Sequence, residues 1–120
     1  MKHVITLAAS LFLTAPALAH DTKGPHGGRQ VDAGKMHVEL VAKGAAVDVY
    51  VSDAAGKPVD ASAFKGLAIL IVGGKSTRIP LAPAGGDRLT GTANADLAAT
   101  PKGAVQITTA DGATLQGKFD

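Results

Sequence analysis

Cysteine is absent from the 120 residues, and so is tryptophan. Without cysteine no disulfide can brace the fold, so stability must come from the core, alone or with a metal. Thiolate ligands are excluded as well, which leaves any metal to nitrogen and oxygen donors. Aromatic residues make up only 3% and the arginines do not cluster. The means to stack on bases or to grip a row of phosphates are therefore missing. No apolar run approaches the ~20 residues of a membrane span. Internal repeats and useful stretches of helical periodicity are lacking too. Glutamate occurs once, as Glu39.

The chain is long enough for one domain. Met1 to Ala19 has the pattern of a secretory leader. Lys2 and His3 are the basic start, and Val4 to Leu13 is an apolar run broken by Thr6 and Ser10. Pro16 and Ala17-Leu18-Ala19 supply the small-x-small cleavage pattern. A membrane anchor would need a longer run. The expected organisation is a signal peptide over 1–19, a mobile N-terminal arm and hairpin over 20–35, and a β-sandwich over 36–120. The expected location is the periplasm. With Lys2 removed, 11 Lys and Arg face 10 Asp and Glu, a formal charge of +1.

Apolar residues alternate with polar ones along most of the remaining chain, the period of a half-buried strand. Met36 to Ala42 and Ala46 to Ser52 are predicted strands. In the second, Val47, Val49 and Val51 take one side and Asp48 and Tyr50 the other. Asp53 to Pro58 reads as a turn, and Asp60 to Lys65 has room for one helical turn. Leu67 to Val72 is continuously apolar, as in a central strand. Gly73-Gly74 turns the chain into Ser76 to Leu81, where Pro80 marks a strand end or an edge. Asp87 to Ala93, Ala104 to Thr109 and Thr114 to Phe119 complete about seven strands. That count predicts an all-β chain, a small immunoglobulin-like β-sandwich, with a small open β-barrel as the alternative.

The chemistry concentrates between His26 and Leu40, in HGGRQVDAGKMHVEL. A two-residue loop at Ala33-Gly34 would set Gln30 opposite His37 and Gly28 opposite Glu39, all on one side of the ribbon. His37 and Glu39 would then lie ~7 Å apart at their backbones. Gly27-Gly28 would let His26 fold back over the site, and Gly28 would leave space above Glu39. Two imidazoles and a carboxylate suit a divalent transition metal such as copper, zinc, nickel or cobalt, with bonds of ~2.0–2.2 Å. After cleavage His20 would offer its amine and its ring to the same ion. The candidate ligands are His26, His37, Glu39 and His20. Met36 points away from His37 and is expected in the core. The plainer alternative makes His37 and Glu39 the solvated face of an edge strand and His26 a loop residue. A change of register would also alter the set.

His26-Gly27-Gly28, Gly34-x-x-His37-x-Glu39-Leu40, Val49-Tyr50-Val51 and Gly56-Lys57-Pro58-Val59 together carry a resemblance. Over residues 26–60 the chain resembles small periplasmic proteins of metal-efflux context. It is also similar there to the N-terminal module of heavy-metal efflux adaptor subunits of the cobalt–zinc–cadmium type. The resemblance implies a role in heavy-metal resistance, as an efflux accessory whose partners are a metal ion and an efflux adaptor or pump. In the adaptors the glutamate and the diglycine recur while the position of His37 is often another residue, which makes Glu39 a structural candidate as much as a ligand. The helical hairpin and barrel of a full adaptor have no counterpart here.

Enzymatic activity is not expected, because the histidines gather at one end with no nucleophile beside them. Asp53, Asp60, Asp87 and Asp111 fall in turns and are spaced too widely for a calcium loop. A non-metal interaction module is the competing reading. The leader predicts a secreted chain whose first residue is His20. Mass spectrometry of periplasmic material checks this. A cut several residues away would remove His20 from the ligand set.

Overall fold

The computed structural model describes residues 22–120, so the leader and His20 lie outside the described residues. The described chain is all-β, with nine strands and no helix. These are β1 (Thr22–Lys23), β2 (Arg29–Ala33), β3 (Met36–Lys43), β4 (Ala46–Ser52) and β5 (Lys65–Val72), followed by β6 (Lys75–Pro83), β7 (Arg88–Thr92), β8 (Gly103–Thr108) and β9 (Thr114–Phe119). All pairings are antiparallel, in the order β1-β2-β3-β4-β7-β6-β5-β8-β9. The two strands beyond the seven expected are β1 and β2. Within the arm and hairpin expected over 20–35, residues 22–28 are laid down as β1 and a turn in which the Gly24 amide donates to the Gly28 carbonyl at 2.8 Å.

The nine strands form one sheet curled into an open half-barrel, the barrel alternative. Two leaves, β1-β2-β3-β4-β7 and β6-β5-β8-β9, face each other across a shared core, and β6 joins them. Its ladder with β5 runs from Gly66↔Leu81 to Val72↔Lys75, but its ladder with β7 has only Ala82↔Thr90 and Pro83↔Leu89. Pro80 explains the short join. A Cβ placed on Gly91 would fall 2.5 Å from the Pro80 carbonyl oxygen, so that carbonyl faces β7. In a strand the N–H of a residue points to the same side as its carbonyl. The N–H that proline lacks is therefore missing on the β7 side, and the ladder stops. At the opposite side of the barrel β2 and β9 meet through side chains. A Cβ on Gly117 would sit 2.8 Å from Val31 Cγ2. Arg29 donates to the main-chain oxygens of Pro101 (3.0 Å) and Asp120 (2.5 Å) and lies 5.8 Å from the Phe119 ring centroid.

The alternating residues fill the core as expected: Val47, Val49 and Val51 from β4, Val38 and Leu40 from β3, Leu70 from β5, Ile79 from β6, Leu89 from β7 and Ile107 from β8. Met36 packs against them. The apolar run of β5 is central in the ladder, between β6 and β8, yet it is buried on one face only. Ala68, Leu70 and Val72 are inside, and Ile71 is 45% exposed. Between Asp60 and Lys65 there is one hydrogen-bonded turn, from the Phe64 amide to the Ala61 carbonyl, and no helix.

The hairpin register differs from the expected one. Ala33 faces Met36 and Asp32 faces His37, so the loop is Gly34-Lys35. Gly34 has φ +60° and Lys35 has no positive φ, which is the type II′ requirement for glycine at the first central position. Gln30 consequently faces Glu39, and Gly28 does not. The loop moves by one residue on each strand, so the parity survives. Gln30, Asp32, His37 and Glu39 still share one side, and Asp32 now faces His37.

Gly91 lies where β7 comes close to β6, against the Pro80 carbonyl and the side chains of Ile79 and Leu81. Gly91→Val is expected to lower the unfolding free energy by about 1–3 kcal/mol through overpacking. Urea denaturation followed by circular dichroism measures it, and Thr92→Val, at an exposed neighbour, serves as the control.

Candidate functional site

The outer face of β3 and β4 is polar by alternation, and Glu39 would be exposed on it if nothing lay above. Instead the chain before β2 folds over this face. Gly27, at φ +81°, makes the bend in the left-handed region that favours glycine. The Gly27 amide donates to the Gly24 carbonyl at 3.1 Å, which closes the turn. Glu39 is left 2% exposed beneath it and is the only charged residue buried in the described chain.

A buried carboxylate is costly unless donors replace its water. Glu39 has three. Oε2 accepts the main-chain amides of His26 (2.9 Å) and Gly28 (2.8 Å), and Oε1 accepts Nδ1 of His26 at 2.7 Å. The space for the carboxylate comes from Gly24, where an added Cβ would stand 2.2 Å from Glu39 Cδ. Gly28, which the sequence reading placed above Glu39, supplies an amide instead. A Cβ there would meet the Leu40 carbonyl.

The His26 ring is fixed from two directions. Glu39 holds Nδ1, and the Tyr50 ring stacks on its face with centroids 3.6 Å apart and planes 8° apart. An ionised carboxylate only accepts, so Nδ1 carries the proton and Nε2 of the neutral ring carries the lone pair. The side chain of His26 is 38% exposed. The ring is thus held in a set orientation while part of its side chain stays exposed, beside a small recess of about 40 Å³ lined by Pro25, Gln30, Ser52 and Asp87 among others. A carboxylate behind a histidine is the arrangement that orients metal-binding imidazoles and raises their basicity.

Of the four sequence candidates, His26 and Glu39 are brought into contact. His37 lies on the same face, one alternation along β3, but is turned to other partners. Its Nδ1 is 2.8 Å from Asp32 Oδ1, and its Nε2 is 3.4 Å from the Ala54 carbonyl, a long contact. His20 lies outside the described residues. Among the described residues no three His, Asp or Glu side chains gather closely enough to share an ion. Glu39 has both oxygens engaged by protein donors, which suits a positioning role.

Tyr50, Gly24 and Asp32 are the residues that sequence reasoning did not assign to the site. Tyr50 was within reach of it. A type II′ loop at Gly44-Ala45, with Gly44 at φ +57°, sets Glu39 directly opposite Tyr50. The turn aspartates behave as their composition suggests. The Asp53 carboxylate accepts the amides of Ala55 and Lys57. The Ser62 amide, and then its hydroxyl, hold the Asp60 carboxyl below its ordinary range. The Thr109 hydroxyl and then the Ala113 amide do the same for Asp111. Comparison of the chain with family models, with curated proteins and with solved structures finds no match.

Glu39→Gln keeps the shape but turns an NH₂ group toward donors. It is expected to cost about 2 kcal/mol of stability and to release the loop over residues 24–28. Gly24→Ala should release the same loop by displacing the carboxylate. Hydrogen exchange at the His26 and Gly28 amides reads both. Unchanged protection in either variant would mean that Glu39 does not hold the loop.

Proposed function

We propose that the chain is a non-catalytic periplasmic protein that binds a divalent transition metal through His26 and assists heavy-metal homeostasis or efflux. The observation that carries this reading is the Glu39–His26 pair, which spends the only buried charge in the described chain on fixing one imidazole through Nδ1 and leaves Nε2 to a ligand. Such a group suits copper(II), zinc, nickel or cobalt. The resemblance over residues 26–60 points to the same task, with an efflux adaptor or pump as partner. The described residues do not supply a closed set of ligands, so the proposed site is open. His20 is the further donor the sequence offers, and His37 becomes one only by leaving Asp32 and Ala54. An open site suits a protein that passes its ion on. Glu39 acts through His26, and Tyr50 limits the ring to one plane.

The competing reading, an interaction module without metal, treats the same pair as a clasp that seats the N-terminal segment on the sheet. The full satisfaction of Glu39 by its own chain is what favours it. Titration calorimetry with zinc, copper(II), nickel and cobalt separates the two. His26→Ala is expected to abolish or greatly weaken binding. Glu39→Gln should weaken it about 10–100-fold, as loss of an orienting partner does. His37→Ala should have the smaller effect. If the protein binds none of the four ions, or if His26→Ala binds as the unaltered protein does, the clasp reading stands.

A further inference from the structure

The Gly34-Lys35 loop comes up to the turn between β8 and β9, with Gly34 against Leu115. A cleft of about 540 Å³ lies between them. Its floor is apolar: Phe64 is buried, and Met36 and Leu115 are half-buried and pack on the core. Ala110 and Ala113 continue the wall. The depression is broad and its lining is predominantly apolar, as that of small-molecule sites is. Methionine at the floor adapts to differing apolar shapes.

The rim decides the ligand's charge. Asp111 is turned into its own loop, where its carboxylate accepts the Thr109 hydroxyl and the Ala113 amide. No ion pair or hydrogen bond engages the Lys35 side chain among the described residues, and Lys35 lines the cleft. The cleft thus joins an apolar slot to one ammonium group without a partner among the described residues and one carboxylate whose oxygen is turned to its own loop. We propose that it binds a small amphipathic carboxylate, with the aliphatic chain against Met36, Phe64 and Leu115 and the carboxylate at Lys35. This site is separate from the metal reading and does not depend on it.

The test uses the purified protein with methyl-labelled methionine and leucine. Sodium octanoate is titrated below its micellar range, with octyltrimethylammonium as the probe of equal chain and opposite charge. Saturable shifts are expected at Met36 and Leu115 with octanoate, and the cation should bind more weakly. Lys35→Glu, at an exposed turn position, should weaken octanoate about fivefold, the scale of an exposed ion pair, and reverse the preference between the probes. Absence of saturable shifts overturns the proposal. So does equal binding of the two probes, or a Lys35→Glu variant that binds octanoate unchanged. A concentration-dependent dimer in sedimentation that occupies these same methyl groups would assign the cleft to a second copy of the chain instead.

Discussion

A sheet with one apolar face and no helices to cover it has only itself to bury that face against. This constraint organises the described chain. The nine strands curl until β2 and β9 touch, and the residues of both leaves become one core. Curling needs close backbone approaches, and glycines stand where they occur. Gly66 lies under Leu81 and Leu89, Gly91 against β6, and Gly117 against Val31. Valine, isoleucine, leucine and alanine fill the narrow interior that results, with Phe64 and Phe119 the only buried aromatic rings among the described residues.

The same curl leaves an outer face that alternation makes polar, and the first turn is built on it. Glu39 is buried there because the 24–28 loop brings it donors, and the loop lies down because Glu39 receives them. Each side of that exchange would be unfavourable alone: a carboxylate out of water, and amides without acceptors. The orientation of His26 follows from the exchange. The metal reading and the clasp reading therefore begin from the same bonds and differ over what meets Nε2.

Fold class was legible because it rests on alternation, and alternation survives errors of register. Val47, Val49 and Val51 are inside whichever residue starts the turn. The hairpin register was harder, since Ala33-Gly34 and Gly34-Lys35 both make two-residue loops and only backbone handedness chooses between them. Placing glycine first in the loop would have chosen correctly. The joining of the leaves through β6 was half legible. Pro80 announced an edge, but which side of the strand lost its donor depends on the neighbouring strand. At the site, the diglycine bend and the return of His26 could be read from the sequence. The role of Gly24 could not, because its importance lies in Glu39 Cδ, fifteen residues away and brought near only by the turn itself. The partnership of His37 with Asp32 was hidden by the same shift of register.

The seam between β2 and β9 has a mechanical meaning. Along the rest of the sheet, neighbouring strands are stitched by main-chain hydrogen bonds, and at the β6–β7 join only two rungs do this. Between β2 and β9 no such ladder runs among the described residues, and side chains with the Arg29 fork hold the edges together. The molecule is built like a book with a narrow spine and an unsewn fore-edge. Its least costly large excursion is a parting of the covers, which breaks contacts but leaves every ladder whole.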